Sequence, residues 1–121
     1  MIQNKKHPEY EFTIMYYNEE VMHVKFAEDG TVIIDKYTDE KDKLPFYFIP
    51  DRQQMFTYIE GRCSERSRPD QAELLNLIGL DVYNPYEIVK KTHAVTPDDY
   101  FWFRYPGENL KWEDVDVFGR F

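Results

Sequence analysis

The sequence predicts an α+β fold: a three-stranded antiparallel β-meander followed by three to four short helices and an aromatic C-terminal tail. Three observations predict it. As far as residue 37, apolar side chains alternate with polar ones, which is the period of strands. Between residues 51 and 92 they recur at helical spacing behind capping residues. From Tyr100 onward, aromatic residues stand almost side by side.

The polar residues 1–10 read as a flexible arm, and residues 11–121 as a single domain. Phe12, Ile14 and Tyr16 alternate with Thr13, Met15 and Tyr17, and Asn18, Glu19 and Glu20 are polar enough to turn. Residues 21–26 set Met22, Val24 and Phe26 against Val21, His23 and Lys25, completing a hairpin with one face inward. Gly30 supplies the positive φ of a second tight turn, and residues 31–37 are β-branched and apolar enough for a third strand. Residues 38–43 carry both signs of charge without an apolar anchor, which predicts a solvated loop. Pro45 and Pro50 fence an apolar run that should be extended, because a proline disfavours helix in the residue before it.

Asp51 is placed to cap a helix over residues 51–61, with Met55, Phe56, Ile59 and Cys63 on its inner side. A second helix starts near Pro69 and Asp70, should bury Ala72, Leu75 and Ile78 with Leu74 and Leu77 flanking, and stops at Gly79. Asn84 followed by Pro85 opens a third over residues 85–92, ending in Lys90 and Lys91. Thr96, Pro97, Asp98 and Asp99 repeat that signal and predict one more helical turn. In the tail, an extended backbone sends Tyr100, Phe101, Trp102, Phe103 and Tyr105 to both faces, so both faces need covering. Leu110, Trp112, Val115 and Phe118 are candidates to close over the core, with Glu113, Asp114 and Asp116 outward.

At 121 residues, 42% hydrophobic and 31% charged, the chain belongs with globular rather than disordered sequences. Its single cysteine, Cys63, suits a reducing compartment. No apolar run approaches the ~18 residues of a membrane helix and the start is not a signal peptide, so the expected location is cytoplasmic. A net charge of −8 repels phosphate backbones at long range and disfavours nucleic acid as a partner unless a local basic face opposes it.

The chain also resembles a family. Leu44 and Pro45, Gly61 and Arg62, Arg68, Leu75, Gly79, Asp98 with Tyr100 and Phe101, and the run from Leu110 through Lys111, Trp112, Glu113 and Asp114 to Val115 carry the likeness. From residue 21 on they resemble the N-terminal region of bacterial proteins with a HipA-like kinase domain, and its short stand-alone relatives. Glu65 stands where that pattern usually has proline, and Phe101 where it has tryptophan. No phosphate-binding glycine loop or catalytic aspartate loop is present. The resemblance therefore implies a regulatory or interaction module without the kinase.

Arg62, Arg66 and Arg68 are the one constellation suited to a partner, since planar guanidinium groups in a loop bind carboxylate or phosphate bidentately. The competing expectation is internal neutralisation by Glu65, Asp114 or Asp116. Cys63 and His93 have the types of a nucleophile and base but nothing local joins them. His7, His23 and His93 lack ligand spacing, so neither metal nor cofactor is expected. Asp98 with Asp99 reads as helix-start electrostatics, and Asp114 with Asp116 as a solvated edge.

The function expected is a non-enzymatic protein-interaction or regulatory module, tied to a toxin-antitoxin-like or mobile-element system, with Tyr100, Trp102, Tyr105 and Trp112 as interface candidates if exposed. Burial of those aromatics would remove their support. The alternative is a helix-turn-helix DNA reader over residues 69–92, against which Glu87 stands where base contacts belong. A third is an acidic inhibitor imitating nucleic acid, which needs the acids of residues 9–42 on one surface.

Overall fold

The computed structural model describes residues 10–120. Strands β1 (Tyr10–Tyr16), β2 (Glu19–Phe26), β3 (Val32–Lys36) and β4 (Phe101–Arg104) make one antiparallel sheet in the order β3-β2-β1-β4. Four α-helices accompany it, α1 (Arg52–Gly61), α2 (Gln71–Leu77), α3 (Pro85–Thr92) and α4 (Trp112–Val115), and one 3₁₀ turn, Lys41–Lys43, interrupts the loop after β3. The α+β class holds, but the sheet has four strands where three were expected. The added strand is the aromatic tail, which pairs with β1 so that Ile14 faces Phe103 and Met15 faces Trp102. Most of the expected arm lies outside the described residues; Tyr10, its last member, is the first residue of β1.

Alternation along the strands sorts their side chains into two cores. On one face Phe12, Ile14, Val24, Phe26 and Phe103 pack with Met55 and Ile59 of α1 and Val89 of α3. Phe12 and Phe103 stack at 4.2 Å across β1 and β4. On the other face Met15 and Trp102 pack with Trp112 and Val115 of α4. A register shift between Ile14 and Met15 lets the consecutive Val21 and Met22 both be buried. Trp102 donates from Nε1 to the Tyr17 carbonyl at 2.6 Å, which locks the tail against the first hairpin.

The helix ends follow local chemistry. At α1, Gln54 N–H donates to Asp51 Oδ1 at 2.8 Å and Asp51 N–H to Gln54 Oε1 at 2.9 Å, a reciprocal capping box. At α3, Tyr86 N–H donates to Asn84 Oδ1 at 3.1 Å, with Pro85 in the first helical position. At the end of α2, Leu80 N–H returns to the Leu75 carbonyl and Gly79 N–H to that of Asn76, with Gly79 at φ +80°. That pair is a Schellman motif.

Four local expectations need correction. In α2 the buried members are Gln71 and Leu75, whereas Ala72 is exposed. The reason is that Gln71 ties the preceding loop, donating from Nε2 to the Glu65 carbonyl at 2.6 Å, and so rotates the inner face by one residue. Residues 96–99 form a turn rather than helix; the fourth helix is α4. Residues 44–50, expected to run extended, bend at Pro45, Tyr47 and Phe48, and Tyr47, Phe48 and Ile49 face solvent. Finally, Asp116 is buried, whereas Phe118 is 48% exposed.

Candidate functional site

Arg62, Arg66 and Arg68 leave the end of α1 in three different directions. Arg62 follows the last residue of α1 and turns inward. Its Nη1 and Nη2 donate to the two Asp99 carboxylate oxygens at 2.6 and 2.8 Å, its Nε to the Ala94 carbonyl at 2.9 Å and Nη2 also to the Phe101 carbonyl at 2.8 Å. The guanidinium also lies 5.5 Å from the Tyr58 ring centroid. Burial disfavours the cation, but the hydrogen bonds and charge of Asp99 outweigh it and raise the Arg62 pKa above its ordinary value. Four of its five N–H groups have protein acceptors and the charge is met by Asp99, so no external anion is needed to neutralise it.

Arg68 is exposed and pairs with Asp70, Nε to Oδ1 at 2.6 Å. This surface pair raises the Arg68 pKa and lowers that of Asp70 through their mutual hydrogen bond. Arg66 is exposed, with its guanidinium 5.4 Å from the Tyr83 ring centroid. Internal neutralisation thus operates for Arg62 and Arg68, but through Asp99 and Asp70 rather than through Glu65, Asp114 or Asp116. Asp116 instead belongs to a residue that sequence reasoning missed. Arg120 donates to Asp116 Oδ1 at 3.2 Å and to the carbonyls of Thr96, Pro97 and Asp99, and lies over Tyr100, Trp112 and Phe118. The one sequence signal was the four-residue spacing of Asp116 and Arg120.

Between α2 and α3 an open groove of about 510 Å³ is lined by Leu74, Leu75, Leu77, Ile78, Ile88 and Val95, with Arg68 and Phe118 at its margin. Leu77 is 82% exposed there. The aromatic interface candidates are placed elsewhere. Trp102 and Trp112 are buried in the second core, and Tyr105 is half-buried, its hydroxyl 2.5 Å from that of Tyr10. Tyr100, 37% exposed, stacks on Tyr17 at 4.6 Å. The tail is therefore mostly core, and its support for an interface goes with that burial.

The other constellations do not assemble. Cys63 Sγ points to the Ile59 carbonyl at 3.6 Å, and burial pushes the thiol up to about 11, so little thiolate exists near neutral pH. His93 Nε2 lies 2.9 Å from Glu108 instead. His23 bridges Thr13 and Glu11 on β1, and His7 lies outside the described residues. Among the described residues no group of three or more His, Cys, Asp or Glu side chains is placed to hold a metal ion. No helix there is long and apolar enough to cross a membrane.

Across residues 69–92, the exposed side of α3 carries Glu87 together with Lys90 and Lys91, an anion three and four positions before two cations. It offers no single-signed face to a phosphate backbone. The acids of the first two strands each have a partner: Glu11 has His23, Glu19 has Lys43, which Glu40 shares, and Glu20 has Arg104. Compared with family models, curated proteins and solved structures, the chain matches none of them.

Proposed function

We infer that the chain is a non-enzymatic protein-interaction module, and that its partner seats an apolar side chain in the groove between α2 and α3. The observation that carries this reading is Leu77, exposed at the lip of a groove otherwise lined by Leu74, Ile78, Ile88 and Val95. A leucine in that position gains little for the free chain, and desolvating it on a partner is favourable. A kinase-like toxin or another component of a mobile-element system is the context suggested by the resemblance of roughly residues 12–118 to the HipA-associated region.

The test is affinity capture from the source cells with the wild-type chain and Leu77→Asp as parallel baits. Because Leu77 is exposed, the variant should fold normally. A stoichiometric protein retained by the wild type and lost by the variant supports the reading. Duplex DNA released by raising salt would overturn it in favour of a DNA reader over residues 69–92.

A further inference from the structure

The two edges of the sheet are finished differently. The outer side of β4 is closed within the chain: Phe103 N–H donates to the His93 carbonyl at 2.8 Å, and the Phe101 carbonyl accepts from Arg62. At the opposite end, β3 has β2 as its only strand neighbour among the described residues. Ala27 N–H donates to the Thr31 carbonyl and Tyr37 N–H to that of Val21. With the β2–β3 register, this fixes the alternation: Ile33 and Asp35 turn their backbone groups toward β2, and Val32, Ile34 and Lys36 turn theirs outward. The strand contains no proline or bulge. Its flanks are apolar, with Ile33 and Tyr37 about half-exposed and Tyr47, Phe48 and Ile49 along the neighbouring loop. Asp35 and Lys36 are the strand's own charges, and the rest of this edge is the apolar surface that protected edges avoid.

We propose that this edge pairs with the same edge of a second copy of the chain, antiparallel and two-fold about Ile34, to form one continuous sheet. The strand is self-complementary in that register. All three outward-facing residues pair with one another, Ile34 with Ile34 and Val32 with Lys36 of the second copy. Ile33 then stands opposite Asp35 of the second copy, and Lys25, which neighbours Ile33 on β2, is within reach of that carboxylate. A slip that centres the axis on Asp35 instead sets two aspartates face to face, and like charges there disfavour it. On the helix-covered face, Val32 of the second copy lies beside Lys36, at the mouth of a groove of about 390 Å³ lined by Met22, Leu44, Phe46 and Phe48. Each copy thereby sets a valine at the mouth of the other's groove. This surface is separate from the one between α2 and α3, so the two interactions stand or fall independently.

The test is sedimentation velocity of the full chain from ~1 µM to ~1 mM, with amide exchange at both ends of the range. The expected result is a concentration-dependent dimer in which the Val32, Ile34 and Lys36 amides gain protection and those of Ile33 and Asp35 do not change. Ile33→Glu should weaken the dimer by ~10-fold, because two-fold symmetry places two like-charge pairs across it. Its fold should survive, since Lys25 faces the new carboxylate within the chain. Adding Asp35→Lys to that variant should restore the dimer by making both pairs attractive. A monomer throughout the range, a dimer indifferent to Ile33→Glu, or an edge that takes a peptide of other sequence without self-association would overturn the proposal.

Discussion

Arg62 and Asp99, separated by 37 positions in sequence, form a two-pronged ion pair in which the arginine side chain is 6% exposed. The same guanidinium holds the carbonyls of Ala94 and Phe101, so one side chain fixes the end of α1, the left-handed turn at His93 and Ala94, and the start of β4. Removing it takes a donor from two carbonyls and the counter-charge from Asp99, which keeps the Phe101 N–H and a side chain 34% exposed. Arg62→Ala should therefore cost about 3–5 kcal/mol in urea unfolding. Arg62→Lys should recover only part of this, because an ammonium cannot reproduce the planar fork. Arg66→Ala, by contrast, should lie within about 0.5 kcal/mol of wild type.

The Asp116 carboxylate gives the fold an acid-side sensitivity. Burial opposes its ionisation, but the Arg120 and Phe118 N–H groups and the Arg120 guanidinium outweigh it, holding its pKa below the usual carboxylate range. A depressed folded-state pKa contributes stability that is present above the unfolded value near ~3.9 and lost as pH falls through the folded one. Thermal melts of Asp116→Asn should show a smaller loss between neutral pH and strong acid than wild type. Equal slopes would show that the carboxylate is solvated instead.

Cys63 should be a slow thiol. With burial pushing its pKa up to about 11, alkylation of the native chain by iodoacetamide at pH 8 should run well below that of the urea-unfolded chain. The same shift bears on stability in the opposite pH direction from Asp116. The neutral thiol's contribution is complete below the unfolded pKa of ~8.5 and lost as pH rises through the folded value. Equal native and unfolded alkylation rates would contradict the burial.

Features written in neighbouring residues were legible in the sequence. Asp51 with Gln54, Asn84 with Pro85, and Gly79 with Leu80 delimit helices through contacts at most a few positions apart. Pairings across the chain were not legible. The run from Phe101 to Arg104 has aromatics on both faces, and the sequence shows that both need covering, but only the tertiary structure reveals that β1 is the neighbour. The candidate site divides in the same way. Three arginines near one corner were visible, whereas the choice of Asp99 over nearer acids depends on a turn more than thirty residues away. Gln71 misleads for a related reason. A polar residue can occupy the inner face of a helix when a loop carbonyl and a serine hydroxyl await it.

The position of β1 inside the sheet has a consequence for synthesis of the chain. It is made before the other described strands, yet its second neighbour is β4, whose pairing joins Tyr16 to Phe101. At ~5–20 residues per second the ribosome needs on the order of ten seconds to deliver that strand. Throughout that interval the nascent hairpin presents an unpaired edge with Ile14 and Met15 beside it. Translation speed across residues 17–104 thus sets how long the unfinished sheet is open to sticking to another nascent chain, a hazard that the completed molecule no longer has on that side.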